Sequence, residues 1–271
     1  MKCRHKLILF FLPCILYSQA LQKIEILPQK RIVPIFTADA VAHRMGVTSI
    51  NIGRRVSISL GNILPVLDLV VYDQKLRLNL GGSVHAELEP DDRASLVTTD
   101  YFVDYILVDI PFTNDFILRM GAGHSSHHLS DNWFELLQKT KSLVYSKDYV
   151  RLFVVKKIPS LNLFVYVGAV YSYYFVVDQE IFRPWALQCG GEKDIASYYN
   201  DMLTLYGAFD IKVRQESSFA ATHNYQFGLR LQNHSERSLR LAYQFRTGID
   251  ERGQYYTERR SFHGLSLFID I

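Results

Sequence analysis

Apolar and polar residues alternate with a period of two along most of the chain beyond residue 34. This period places successive side chains on opposite faces of a β-strand and does not fit a helix. The clearest stretch, residues 237–248, sets large apolar side chains against mostly polar ones: Leu239, Leu241, Tyr243 and Phe245 against Arg240, Ala242, Gln244 and Arg246. Turn-forming residues separate such stretches, and counting them predicts roughly ten to twelve strands.

The polar face of the predicted strands carries arginine, glutamine, asparagine and aspartate on one strand after another. A soluble sandwich would turn this face to water and seldom repeats arginine opposite so continuous an apolar face. A membrane barrel turns its apolar face to lipid and its polar face to the lumen. We therefore predict an all-β fold, an antiparallel transmembrane β-barrel of about 12 strands forming one domain over residues 21–271. A secreted soluble β-protein is the alternative.

The first 20 residues have the composition of a secretory signal peptide. Lys2, Arg4 and Lys6 precede a short apolar run over residues 7–16, and small residues end at Ala20. The apolar run is shorter than the roughly 20 residues that span a bilayer. We predict cleavage after Ala20 and export to the outer membrane of a Gram-negative bacterium. Membrane lipids are then predicted partners, as is the barrel-assembly machinery during insertion.

Charge and cysteine content narrow the function classes. The 30 basic and 27 acidic residues are interspersed and leave a net charge of +3, which argues against nucleic acid as a partner. Cys3 and Cys14 lie in the predicted signal peptide, so Cys189 would remain alone, without a disulfide. The sequence indicates no cofactor and leaves the oligomeric state open.

Two segments depart from the alternation. Residues 130–146 resemble a short, capped amphipathic helix, and residues 178–202 resemble a long irregular connection. Counting strands back from the C-terminus puts the predicted helix on the periplasmic side, although long loops of such barrels normally lie outside. If residues 178–202 contain an unrecognised strand, residues 121–131 lie near the outer leaflet. If they do not, the barrel is unusual and residues 121–131 lie near the inner leaflet.

Several blocks of the sequence resemble a family of uncharacterised bacterial proteins, domain of unknown function 1207. The similar blocks are residues 148–151, 206–210, 238–241, 253–256 and 264–265, in the same order. The family's central block, H-x-S-S-H-L-x-D-E, aligns with His124, Ser126, His128, Leu129 and Asp131. The chain departs from it at His127 and Asn132. This resemblance implies an outer-membrane-type barrel and supplies no activity.

Residues 121–131, G-A-G-H-S-S-H-H-L-S-D, place polar side chains on an otherwise apolar strand face. The alternation puts His124, Ser126 and His128 on the lipid-facing side and His127 on the opposite one. A histidine and a serine two residues apart on one face can form a base-activated nucleophile. The H-x-S pairing resembles that of outer-membrane phospholipase A and the lipid A deacylases, barrel enzymes whose sites face the membrane.

The sequence supports two hypotheses for this block. In the first, the barrel is not an enzyme and has a structural, binding or narrow, plugged transport role. In the second, it is a membrane-embedded serine esterase or deacylase acting on phospholipid or lipid A. Ser126 would attack the ester, His124 would take its proton, and Asp131 would orient the imidazole. Other candidates for that orienting role are Asn132, Glu135 and Gln138. The spacing of His124, His128 and Asp131 matches no known metal motif, so no metal site is predicted.

Overall fold

The computed structural model describes residues 21–51, 53–90, 95–136, 145–177, 183–232 and 237–271. The predicted signal peptide lies outside these residues. Thirteen strands are described: β1 Leu21–Ile26, β2 Met45–Ile50, β3 Arg55–Val71, β4 Gln74–Glu89, β5 Ser95–Pro111, β6 Phe116–Leu129, β7 Tyr145–Ile158, β8 Leu163–Val177, β9 Trp185–Tyr198, β10 Leu203–Arg214, β11 Ala221–Gln232, β12 Ser238–Ile249 and β13 Arg259–Asp270. A helix, α1 Asp131–Leu136, follows β6, and single 3-10 turns cover Pro159–Leu161, Gln215–Ser217 and Gly253–Tyr255.

Strands β2 to β13 close into a barrel. Each pairs antiparallel with its neighbours in the chain, and β13 pairs with β2 through residues 264–269 and 45–50. The prediction of a single antiparallel barrel of about 12 strands is therefore confirmed. The extra strand, β1, pairs with the end of β3 and precedes residue 34, beyond which the alternation was counted from the sequence. Closure leaves the twelve barrel strands without free edges.

The prediction of an irregular connection over residues 178–202 was wrong, because β9 occupies Trp185–Tyr198. Two adjacent glycines conceal its alternation. A Cβ on Gly190 would lie 2.3 Å from the Tyr166 hydroxyl oxygen, so only glycine leaves room for that lumenal ring. The added strand settles the strand count, and it puts α1 at the same end of the barrel as the connections 178–184, 215–220 and 250–258. The other end holds shorter turns, at 72–73, 112–115, 159–162 and 199–202.

Strand sequences explain which face meets the lumen. On β13, Leu265 is 64% exposed whereas Phe268, facing inward, is 1% exposed. Exposed aromatic side chains gather toward both ends of the barrel, as in the interfacial girdles of membrane barrels. They include Tyr72, Phe112, Tyr198 and Tyr199 at one end and Tyr101, Tyr174, Trp185 and Phe219 toward the other. Among the described residues, no helix is both long and apolar enough to cross a membrane.

A plug, residues 27–44, runs from β1 into the lumen and leads to β2. The Phe36 ring stacks on Tyr166 at a centroid distance of 3.7 Å, and Val33 packs in the same cluster as Phe153. Asp39 lies 2.5 Å from the Lys212 ammonium. Cavities of about 200 Å³ and 430 Å³ are both lined in part by this segment, so the plug fills part of the lumen.

Ion pairs hold the polar lumen together. Arg119 and Asp109 form a bidentate pair at 2.7 and 2.8 Å, and Arg77 pairs in the same way with Asp68. Buried charges of this kind need a partner, because an unpaired one costs several kcal/mol. The repeated arginines of the polar face are thus matched by carboxylates on neighbouring strands.

Candidate functional site

Strand β6 carries the histidine-rich block near the end of the barrel that holds the longer connections. His124, Ser126 and His128 face outward, whereas Ser125 and His127 are buried in the lumen at 4% and 5% exposure. The alternation predicted this division. Because the outward face of the barrel is largely apolar, the three outward polar side chains require polar partners there.

The first partner is Asp148, directly opposite His124 on β7. The His124 Nδ1 atom lies 2.6 Å from the Asp148 carboxylate, and both side chains are about a third exposed. A carboxylate at Nδ1 selects the tautomer with the proton on Nδ1, which leaves the Nε2 lone pair free to accept a proton. The pair therefore has the geometry of a general base held by its orienting acid.

Two serine hydroxyls lie beside this pair. Ser146 Oγ is 3.5 Å from His124 Nε2, and Ser126 is the cross-strand partner of Ser146. In this structure Ser126 Oγ lies 2.9 Å from His128 Nε2, on the far side from His124. The Tyr101 ring meets His128 edge-on. Ser126 thus stands between two imidazoles on one strand face, and the staggered rotamers about its Cα–Cβ bond give its hydroxyl more than one direction.

Asp131 lies apart from this cluster. It begins α1, after the strand has ended, and its side chain is exposed, as are those of Asn132 and Glu135. No contact between these three and His124 is found in the described residues, and Gln138 lies outside them. Sequence reasoning missed Asp148 because the long connection between β6 and β7 hides their register. The resemblance block at residues 148–151 begins at this aspartate and was the available signal.

His127 has a structural role that sequence reasoning undervalued. Its Nδ1 atom lies 2.8 Å from Asp100 Oδ1, and its ring packs edge-on against Phe102 and Tyr145. The Gly253 N–H points at the same nitrogen at 3.1 Å, and a Gln254 side-chain N–H donates to the His127 carbonyl. His127 therefore anchors the 250–258 connection over the mouth of the lumen.

A buried cluster lies directly behind the His124–Asp148 pair. Asp104 accepts hydrogen bonds from the Tyr149 hydroxyl at 3.0 Å and from Arg151, and it lies 2.6 Å from His43 Nε2. His43 belongs to the plug, so the plug is tied to the wall at this level. Gly123 fits between these groups, because a Cβ there would lie 2.7 Å from the Tyr149 oxygen.

The plug carries one strongly perturbed carboxyl group, Asp39. Burial by itself would raise its pKa, but the adjacent Lys212 ammonium and the N–H donors of Val41 and Gln188 together lower it to about 2. The carboxylate is thus ionised at neutral pH and fastens the plug to β9 and β10. In the described part of the chain, no three His, Cys, Asp or Glu side chains are grouped as a metal site would require.

Comparisons with known proteins agree with this fold. The family described as "Protein of unknown function (DUF1207)" matches residues 34–270. No curated protein matches the sequence. The structure of outer membrane phospholipase A from Escherichia coli is similar at 13% identity, with a TM-score of 0.54, covering 84% of this chain and 92% of that one. The calcium-bound dimer of the Salmonella typhi outer membrane phospholipase is similar at 14% identity and a TM-score of 0.54, covering 84% and 90%. OmpT of Vibrio cholerae, at 9% identity and a TM-score of 0.41, covers 84% and 96%.

Proposed function

This chain belongs to the DUF1207 family of outer-membrane-type β-barrels, and we propose that it is a serine esterase that hydrolyses membrane lipids from the outer face of its barrel. The observation that carries the proposal is the 2.6 Å contact between His124 and Asp148 on the lipid-facing wall, with two serines beside it. Ionisable side chains on a lipid-facing wall cost free energy, so a histidine–carboxylate pair there indicates a functional site. The similar fold of the two phospholipases is consistent with this activity.

The proposed reaction follows from the atoms in place. A serine Oγ attacks the ester carbonyl carbon while His124 Nε2 takes the hydroxyl proton, and Asp148 stabilises the imidazolium through Nδ1–H. His124 then gives the proton to the departing alcohol, leaving an acyl-enzyme. Water attacks this ester in the second half, again with His124 as base, and releases the fatty acid and the free serine.

Ser126 is our first choice for the nucleophile, because the H-x-S spacing places it on the same face as His124 and it lies between two imidazoles. Ser146 is the second choice, since its hydroxyl is 3.5 Å from the base in this structure. Catalytic hydrogen bonds are often long before substrate binds, so this distance excludes neither. Asp148 takes the orienting role that the sequence suggested for Asp131.

The location fits a lipid substrate. Longer connections of outer-membrane barrels lie outside the cell, and the site lies toward that end. We infer that the site meets the outer leaflet near its polar interface. Export through a cleaved signal peptide belongs to the same proposal.

Labelling with a fluorophosphonate probe tests the proposal. Purified barrel in detergent should be labelled at one serine, identified by mass spectrometry, and should release fatty acid from phospholipid micelles. Replacement of the labelled serine by alanine should abolish both. Ser217→Ala, in a connection far from His124, is the matched control and should keep both activities. Absence of labelling at Ser126 and Ser146 alike would sink the proposal.

The non-enzymatic hypothesis of a plugged barrel competes with this one. Because the plug fills part of the lumen, the structure favours a plugged barrel over an open pore. If this alternative holds, Ser126→Ala and His124→Ala leave every lipid assay unchanged, and planar bilayers containing the protein show no steady conductance.

A further inference from the structure

Two β-bulges flank the His124–Asp148 pair. On β5 the pairing with β6 skips one residue between Asp104 and Ile106, and the skipped residue is Tyr105. On β8 the pairing with β7 passes from Tyr174 to Ser172 and skips Tyr173. A bulge adds an unpaired residue and changes the direction of its side chain, and bulges are over-represented next to active sites.

Each bulge turns its extra tyrosine outward. Tyr105 and its neighbour Ile106 are both exposed, at 54% and 43%, although a regular strand would bury one of them. Tyr173 and Tyr174 are exposed in the same way, at 52% and 54%. The barrel wall thus presents two tyrosines that regular pairing would not place there.

These tyrosines lie on the two sides of the site. Tyr105 is next to the residues paired with Gly123 and Ala122, and Tyr173 is next to the residue paired with Asp148. Strands β6 and β7, which carry His124 and Asp148, separate the two tyrosines in the sheet, so Tyr105 and Tyr173 flank the pair from its two sides.

The floor between them is apolar. Ala122 on β6 and Val150 on β7 are cross-strand partners facing outward. The Tyr105 and Tyr173 phenols flank this floor on the neighbouring strands β5 and β8. Phenols donate hydrogen bonds while their rings tolerate the membrane interface, which suits a lipid's ester region.

The charged side chains around the site restrict the net charge of the lipid headgroup that can bind. Among the described residues, the one lysine or arginine on the outward faces of β5 to β8 is Lys156, at the far end of β7 from Asp148. Lys147 and Arg151 turn into the lumen to Glu216 and Asp104. The nearest formal charge is the Asp148 carboxylate. A lipid head with net negative charge would therefore meet like charge, with no compensating cation nearby among the described residues of this wall.

We propose that Tyr105 and Tyr173 are substrate-positioning residues, which bind the non-reacting oxygens of a lipid ester whose head carries no net negative charge. This rests on the proposed esterase activity. The hydroxyls hold the glycerol region so that the scissile carbonyl lies over the His124–Asp148 pair, and the acyl chain lies along the apolar floor. Zwitterionic phosphatidylethanolamine fits this description, and anionic phosphatidylglycerol does not.

The test compares the variants Tyr105→Phe and Tyr173→Phe with wild type on three probes. On phosphatidylethanolamine in mixed micelles, each loses up to about tenfold in kcat/KM, the effect of one net hydrogen bond. Fluorophosphonate labelling and hydrolysis of p-nitrophenyl butyrate, which lacks the second ester and the head, stay within about twofold of wild type. Wild type prefers phosphatidylethanolamine over phosphatidylglycerol with equal acyl chains by about fivefold or more.

The control is Tyr225→Phe, which removes a phenol hydroxyl from the outer face of β11, away from the site. It should match wild type on every probe. Heat-modifiable migration on gels checks that each variant is folded. Unchanged lipid kinetics, equal losses on lipid and p-nitrophenyl butyrate, or faster turnover of phosphatidylglycerol would each overturn this proposal. Failure of wild type to react with fluorophosphonate would overturn the esterase itself, which separates the two.

Discussion

Tyr149 donates its hydroxyl hydrogen to Asp104 at 3.0 Å, and this bond crosses the inner side of β6 at Gly123, immediately before His124. The outer pair, His124 and Asp148, lies on β6 and β7, and the wall residues of the inner cluster lie on β5 to β7. The positions of the outer side chains depend on the inner cluster around Asp104, since the bulge that turns Tyr105 outward begins at Asp104. The inner face of the wall supports the outer site.

The role of Asp148 gives the first prediction. Asp148→Ala should lower lipid and p-nitrophenyl ester hydrolysis on the order of a hundredfold or more, because His124 loses the group that fixes its tautomer. Asp131→Ala should retain wild-type rates. The measurement is initial rate in detergent micelles, with folded fraction checked on gels. Inactivation by Asp131→Ala and not by Asp148→Ala would return the orienting role to Asp131.

The space at Gly123 gives the second. A Cβ there would lie 2.5 Å from the Val103 carbonyl oxygen and 2.8 Å from Asp104 Oδ1. Gly123→Ala should destabilise the barrel by about 1–3 kcal/mol, the usual cost of overpacking. Gly207→Ala is the matched control, since the nearest atom to its Cβ would be 3.6 Å away. Urea unfolding in lipid vesicles measures both, and equal stability of the two variants would contradict the packing described.

The anchor of the plug gives the third. His43→Ala removes one buried hydrogen bond each from Asp104 and Ser83 and leaves a cavity in place of the imidazole, and we expect a loss of about 1–3 kcal/mol. Esterase activity should fall with it, because the backing of the site loosens. His263→Ala changes an exposed histidine on the opposite wall and should alter neither. A His43→Ala barrel with wild-type stability and activity would show that plug and site are independent.

Asp39 gives a prediction for pH. Its folded pKa of about 2 lies below the ordinary value of 3.8, so its contribution is complete above pH 3.8 and is lost as pH falls toward 2. The contribution is on the order of 2 kcal/mol. The protection factor of the plug amides, which is the intrinsic exchange rate divided by the observed rate, should therefore fall between pH 4 and 2. Asp39→Asn should show fast exchange already at neutral pH, and an Asp39→Asn plug as protected as wild type would contradict this account.

The sequence predicted the barrel because alternation is a local property. An apolar outer face and a polar lumen impose the same period on each strand, so residues 239–246 could be assigned without knowing any partner. The same alternation placed His124 and Ser126 outward. The alternation did not reveal β9. Gly190 is required by close packing against Tyr166, and glycine has no side chain whose polarity would indicate a strand face.

The partners within the site could not be predicted in this way. Contact between His124 and Asp148 depends on the register of β6 against β7, which the connection of residues 130–144 does not reveal. Bulges shift register by one residue, and no local pattern marks Tyr105 or Tyr173 as the skipped one. The plug was invisible because residues 27–44 have no regular period and gain their structure from the lumen.

The closure of the barrel by β2 and β13 has a consequence for assembly. The plug immediately precedes β2, and β2 can form its six-residue seam only with β13, the final barrel strand in chain order. Sealing the cylinder and trapping residues 27–44 inside it are therefore one event. A chain that closed this seam with residues 27–44 outside would have an unfilled lumen and would have to reopen the seam to take the segment in.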